Sequence, residues 1–96
     1  AQAFEATRVP PPTELLQKIE QAPSDPQARA ELAEHYITHK MWEDSLEQLL
    51  EIVKIDREFQ DDFGRQRMIE VFKLAAEQPT VVSAWRRKLG AALNVV

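Results

Sequence analysis

Residues 26–56 contain two helical segments joined by a short connection, and this hairpin pattern constrains the fold more than any other feature of the chain. Asp25 followed by Pro26 is typical of a helix start, because the Asp carboxylate caps free amides and a proline at the first position leaves no N–H unpaired. The second segment has an amphipathic stripe at i, i+3, i+4 and i+7, formed by Leu46, Leu49, Leu50 and Val53. The connection, residues 39–41, is short, so the two helices must pack antiparallel.

The same signals predict five helices in all. We expect them at residues 13–21, 26–38, 42–56, 61 or 62 to 77, and 80–94, with N-caps at Thr13, Asp25, Asp61 or Asp62, and Thr80. The apolar stripes of the last two are Met68, Val71, Phe72 and Ala75, then Val82, Trp85, Leu89, Ala92 and Leu93. Short turns between five helices predict an all-α fold of helical hairpins in a right-handed layered array.

The chain length of 96 residues predicts one domain. Residues 1–12 include Pro10, Pro11 and Pro12, which favour polyproline geometry. We expect them to be a linker, or residues added for expression, ahead of a helical domain at residues 13–96. Because the chain begins at Ala1 rather than Met, we expect a processed chain or part of a longer one.

Composition excludes several classes of function. The chain has no cysteine, so disulfides, thiol catalysis and thiolate metal sites are excluded. The net charge of −4 disfavours nucleic acid or an anionic membrane as the main partner, and no apolar run approaches the length of a membrane span. The charge is uneven, −6 over residues 1–56 and +2 over residues 57–96. This asymmetry either pairs the two halves or orients a partner.

The first hairpin resembles a tetratricopeptide repeat when Pro26 is taken as its first position. Residues that suit this motif, in which small side chains let the helices approach, are Leu32, Ala33, Tyr36, Ser45 and Leu49. Ile52, Arg57 and Lys40 depart from the pattern, and a left-handed Lys40 would be strained. The second hairpin is a diverged repeat or a cap. This resemblance implies protein binding through a helix face or the terminal helix.

Four stretches also resemble the C-terminal region of the YbbN-type thioredoxin-like proteins of bacteria, the chaperedoxins. They are TELLQKIEQAPSDPQARAELA, WEDSLEQLLEIVKIDREF, DDFGRQRMIEVF with Asp61 and Arg65, and WRRKLGAAL. This resemblance implies a thioredoxin-like domain ahead of the present residues. It also implies a cytoplasmic chaperone that binds client proteins and passes them to the chaperonin or to Hsp70.

The last helix is the candidate docking element. Its Leu89 and Leu93 could lie in an apolar groove of a partner, with Arg86 and Arg87 on the rim. Trp42 and Trp85 are candidate interface anchors, although both residue types are common in cores and Trp85 lies on the apolar stripe of its helix. The alternative for the three consecutive basic residues, Arg86, Arg87 and Lys88, is a solvated helix face.

Other functions receive less support from the sequence. His35 and His39, with Glu31, have a spacing that can ligate zinc, but no further histidine is present. No converging catalytic set appears, so we expect neither an enzyme nor a cofactor. The acidic residues Glu43, Asp44, Glu47 and Glu51 either bind a basic partner or form a solvated face. A second hypothesis is a structural domain that packs on the thioredoxin-like domain or forms a homodimer, with no external client.

Overall fold

The computed structural model describes residues 12–94, which form five α-helices and no strand. The helices are α1 (Thr13–Gln21), α2 (Pro26–Thr38), α3 (Trp42–Ile55), α4 (Phe63–Leu74) and α5 (Pro79–Leu93). The prediction of an all-α fold of helical hairpins is therefore confirmed. The predicted linker lies outside the described residues except for Pro12.

The start of α2 forms as the sequence predicts. Pro26 is its first residue, and the backbone N–H of Gln27 donates to Asp25 Oδ1 at 3.0 Å. The N-cap predicted for α1 was wrong by one residue, since Pro12 takes the cap position and Thr13 is already helical. The N-cap predicted for α5 was wrong by two residues, since Gln78 is the cap residue and Thr80 lies inside the helix. A proline at the first helical position, here Pro79, has its φ angle set for the helix.

The bounds of α4 also differ from the prediction. Asp62 holds the cap position but has a left-handed backbone (φ 71°), and its side chain makes no capping hydrogen bond. The helix ends at Leu74 rather than near Glu77. Residues 75–77 form a turn, and Gln78 is non-helical (φ −120°, ψ 70°), as the steric restriction on a residue before proline favours.

The core is centred on α3, which approaches α2, α4 and α5 closely. Its predicted apolar stripe is buried along the whole helix, and so is the stripe of α4. Ser45 is fully buried at the predicted small-residue position, and its hydroxyl donates to the carbonyl oxygen of Trp42 at 2.7 Å. Ile52 is also fully buried, so the larger side chain at this position fills the core rather than disrupting it.

The two hairpins repeat at an interval of 37 residues. The first helices begin at Pro26 and Phe63, and the second helices begin at Trp42 and Pro79. The two helices of the second hairpin therefore start at the same spacing as those of the first. The two hairpins differ in packing, since α2 and α3 pack closely whereas α4 and α5 approach each other less closely than each approaches α3.

Gly64 determines how closely α4 approaches α3. A Cβ atom added at Gly64 would lie 2.9 Å from Val53 Cγ2 and 3.1 Å from the carbonyl oxygen of Leu49. Both distances are shorter than ordinary van der Waals contact. A side chain at this position would therefore push the second hairpin away from the first.

A bidentate ion pair joins α2 to α4. Arg67 Nε and Nη2 donate to the two carboxylate oxygens of Glu34 at 2.6 and 2.8 Å, and Arg67 Nη1 donates to Glu70 at 2.7 Å. The hydrogen bonds that Arg67 donates to Glu34, opposed by partial burial and assisted by Glu70, raise the pKa of the Arg67 guanidinium above its ordinary value. The pair aligns the first helices of the two hairpins side by side.

The α2–α3 turn contains the left-handed residue that the sequence predicts. Lys40 has φ 59°, its N–H donates to the carbonyl of Ile37, and the N–H of Met41 donates to the carbonyl of Tyr36 at 2.8 Å. These two bonds form a Schellman motif, in which glycine is the usual left-handed residue. Lys40 therefore adopts a conformation that a side chain makes costly.

We expect Lys40→Gly to raise the free energy of unfolding by about 1 kcal/mol, because glycine adopts the left-handed conformation without a steric cost. Lys40→Ala is the matched control and should give no comparable gain, since alanine keeps the Cβ atom. Urea denaturation followed by circular dichroism measures both. Equal stability of the Gly and Ala variants would contradict the strain at Lys40.

We expect Arg67→Gln to lower the free energy of unfolding by about 1 kcal/mol, at the upper end for ion pairs of this kind because the Glu34 contact is bidentate. Arg87→Gln removes the same charge from an exposed position of α5 and serves as the control. The loss should shrink in 1 M salt. A loss of equal size for the two variants would show that net charge, not the pair, is responsible.

Candidate functional site: a groove between α4 and α5

The divergence of α4 and α5 leaves a groove of about 350 Å³ between them. Its lining residues are Arg65, Ile69 and Phe72 of α4 with Arg86, Leu89, Gly90 and Leu93 of α5. The α4 residues recur at i, i+4 and i+7 and the α5 residues at i, i+3, i+4 and i+7, so each helix presents one continuous face to the groove.

The floor of the groove is apolar and well packed. Phe72 and Leu89 retain 5% and 6% exposure and belong to the main hydrophobic core. Ile69 and Leu93 are partly buried and pack against the same core from the groove side. The floor is therefore continuous with the core, and a ligand in the groove would contact side chains that already pack in the core.

The rim is cationic at one end. The guanidinium carbon of Arg86 lies 5.5 Å from the centroid of the Phe72 ring, a distance at which the ring face attracts a cation. Arg86 is exposed, so its charge remains accessible at the edge of the groove. Arg65 is less available because its guanidinium pairs with Asp62.

The opposite end of the groove has a different charge. Arg57 Nη1 donates to the carbonyl oxygen of Leu93 at 3.4 Å, which places the loop before α4 beside the C-terminal end of α5. This loop carries Glu58, Asp61 and Asp62 around a surface depression that also includes Arg57. The groove therefore runs from a basic end at Arg86 to an acidic loop near Leu93.

The structure brings together three of the six predicted partner-binding residues. Arg86, Leu89 and Leu93 line the groove, whereas Arg87 is exposed elsewhere on α5. Trp85 is 9% exposed, part of the core, and lies beneath Lys88 with Nζ 4.0 Å from the ring centroid. Trp42 is partly buried against the core at the start of α3.

Sequence reasoning did not assign four groove residues to a site: Arg65, Ile69, Phe72 and Gly90. The spacing of the three α4 residues is a helical face, so periodicity could have indicated it. Their partnership with α5 depends on the splay of the second hairpin, which no local pattern encodes.

Gly90 is unusual because the fold does not require it. It lies inside α5, and no neighbouring atom is within 4 Å of the position that a Cβ atom would take. Glycine in a helix interior costs about 1 kcal/mol relative to alanine. The groove floor therefore contains a residue that weakens its own helix and leaves space at the surface.

The other sites considered from sequence have ordinary surroundings. The rings of His35 and His39 lie 4.7 Å apart, and among residues 12–94 no group of three or more His, Asp or Glu side chains is placed to hold a metal ion. On α3, Glu51 pairs with Lys54 at 3.8 Å. The acidic face thus includes at least one local ion pair along the helix.

A family comparison agrees with this architecture. The profile of the tetratricopeptide repeat family matches residues 5–94. The chain belongs to the tetratricopeptide repeat family. Tetratricopeptide domains generally mediate protein–protein interaction and form a non-catalytic fold. No curated protein and no solved structure gives a significant match to the chain. Within the described residues, no helix is both long and apolar enough to cross a membrane.

The two glycines of this tetratricopeptide domain should respond oppositely to the same substitution. We expect Gly64→Ala to lower the free energy of unfolding by about 1–3 kcal/mol through overpacking against α3. We expect Gly90→Ala to raise it by about 1 kcal/mol, because the added methyl group meets open space and improves helix propensity. Each variant is the control for the other in urea denaturation. A shift of the same sign at both positions would contradict the packing described for Gly64 or the open space at Gly90.

Proposed function

We propose that this tetratricopeptide domain is the interaction module of a YbbN-type thioredoxin-like chaperone of the bacterial cytoplasm. In this proposal, the α4–α5 groove docks the domain onto the chaperonin or Hsp70, to which the chaperone passes bound client proteins. The observation that carries the proposal is an open groove with an apolar floor continuous with the core and an accessible guanidinium at its edge. Arg is among the residue types most enriched in binding hot spots.

The sequence resemblance gives the proposal its specific partner class. The stretch DDFGRQRMIEVF supplies the α4 side of the groove, Arg65, Ile69 and Phe72, and WRRKLGAAL supplies all of its α5 side. Two of the four stretches that resemble the chaperedoxins therefore form the groove. This coincidence favours the groove over the acidic face of α3 as the docking surface.

A second function, a structural role without an external client, has support elsewhere on the surface. Leu16 of α1 is 42% exposed and Leu74 at the end of α4 is 55% exposed. Both residues lie outside the groove. A thioredoxin-like domain or a second copy that packed over either leucine would bury apolar area without using α5.

Binding of the purified domain to purified chaperonin and Hsp70, measured by biolayer interferometry, tests the proposal. The double variant Arg86→Glu, Leu93→Asp should weaken binding at least about tenfold, because it reverses the rim charge and places a carboxylate on the apolar wall. The control Arg87→Glu, Ala91→Asp makes the same changes of charge at exposed positions of α5 outside the groove and should retain binding.

Melting curves of both variants establish that they are folded, and Arg86→Glu alone provides a milder variant if Leu93→Asp destabilises α5. Unchanged affinity of a folded Arg86→Glu, Leu93→Asp variant would rule out the groove as the docking surface. Absence of binding by the parent domain to both chaperones would favour the structural function.

A further inference from the structure

We infer that the neighbouring faces of α3 and α5 form a weak, symmetric interface between two copies of this chain. In this interface the acidic wall of each copy, on α3, lies against the basic wall of the other copy, on α5. The inference goes beyond the proposed function, because the surface differs from the α4–α5 groove and from the exposed Leu16 and Leu74.

A groove of about 460 Å³ separates α3 from α5 on this side of the domain. Its floor contains Leu50 and Trp85, which are both buried in the core. Glu47 and Glu51 line the groove from α3, and Lys88 lines it from α5. The two walls of one groove therefore carry charges of opposite sign.

The two helices as wholes show the same contrast. α3 contains four acidic residues and one lysine, a net charge of −3, whereas α5 contains two arginines, one lysine and no acidic residue, a net charge of +3. Asp44, Glu47 and Glu51 are spaced i, i+3 and i+7, so they form one acidic stripe along the groove. Arg87 lies one turn before Ala91, a groove residue, and adds to the basic side.

The opposite charges that line this groove do not pair with each other. Within the part of the chain that the structure describes, Glu47 and Lys88 form no ion pair, although both line the groove. Lys88 instead lies with Nζ 4.0 Å from the centroid of the Trp85 ring, and Glu51 pairs with Lys54 of its own helix. A carboxylate on one wall and an ammonium group on the other are therefore available to a partner.

A second copy matches both walls at once. If two copies face each other about a two-fold axis that runs along the groove, α3 of each copy lies opposite α5 of the other. Each contact between an acidic and a basic wall is then formed twice, as in any isologous interface. A uniformly basic partner would complement α3 but would place like charge against Lys88, and a uniformly acidic partner would repel Glu47. The charge pattern thus favours a second copy.

The dimensions of the two helices indicate a weak dimer. α3 and α5 have 14 and 15 residues, so each is about 21–23 Å long, and two adjacent helices are about 20 Å wide. Their combined face covers about 400 Å² per copy, which is the size of a weak, transient contact. Because the floor residues are already buried, the interface depends mainly on charge pairs, and salt should weaken it.

Charge reversal on each wall tests the inference. Sedimentation velocity of the chain at concentrations up to about 1 mM detects dissociation constants in the micromolar to millimolar range. We expect a dimer at low salt, with a dissociation constant that rises at least about tenfold in Glu47→Lys and in Lys88→Glu. Each variant places like charges opposite each other in its own dimer. Melting curves establish that both variants are folded.

An equimolar mixture of the two variants distinguishes the interface from an effect of net charge. In a mixed dimer the two reversed residues lie opposite each other, and so do the remaining Glu47 and Lys88. The mixture should therefore dimerise at least about tenfold more tightly than either variant alone. Glu20→Lys and Lys18→Glu make the same changes of charge at exposed positions of α1 and should leave the dimer intact.

Three results would overturn the inference: a monomer at every concentration, a dimer that neither reversal weakens, and a mixture that dimerises no better than its components. The two proposals fail separately, because neither reversal changes a residue of the α4–α5 groove. A monomer that binds chaperonin or Hsp70 would remove only this inference. A dimer that binds neither chaperone would remove only the proposed function.

Discussion

The close approach of α4 to α3 at Gly64 is the contact on which the rest of the structure depends. A missing side chain there lets the second hairpin lie directly on Val53 and the backbone of Leu49. The position of α4 in turn allows the bidentate bond between Glu34 and Arg67, which aligns α2 with α4. Because α5 packs mainly on α3, the placement of α4 also determines how far the second hairpin opens. The groove therefore depends on packing at a neighbouring face of α4.

The splay of the second hairpin has a physical origin in its side chains. The small, fully buried side chain of Ser45 lets α2 and α3 pack closely, whereas the start of α5 packs the larger Val81 and Val82 against the core. The bulky Phe72 and Trp85 also enter the core from α4 and α5. Larger side chains hold two helices farther apart, since the interaxial distance depends on the residues at the contact. The larger side chains of the second hairpin thus leave an accessible apolar groove between its two helices, which the compact first hairpin lacks.

Much of the fold follows from local rules that a single sequence displays. Periodicity identified the buried stripes of α3 and α4, and Asp25–Pro26 located the start of α2. The helix ends were less accurate where two signals compete. At Pro79 the ring and the hydroxyl of Thr80 both favour a helix start, and the proline, with its fixed backbone angle, decided the outcome. Lys40 was predictable because the hairpin demanded a left-handed residue whatever its side chain.

The sequence predicted the α5 side of the groove but not its α4 side, because the grouping of residues from two helices is not a local pattern. Arg86, Leu89 and Leu93 form one helical face, so their grouping follows from spacing within α5. Arg65 and Phe72 join them only because two helices separated by a turn diverge by a certain angle. That angle results from the total volume packed between them, which no spacing rule contains. Arg87 shows the converse, since it neighbours Arg86 in sequence but lies outside the groove, as consecutive helical residues point in different directions.

Gly90 has an evolutionary consequence. A single base change converts a glycine codon to an alanine codon, and within this domain that change meets no steric obstacle. Mutation alone would therefore replace the residue over time, since the substitution is accessible and stabilising. If related proteins all keep glycine at this position, a requirement other than the stability of the fold must select for it. If related proteins carry glycine and alanine equally often, no binding partner regularly covers this part of the surface.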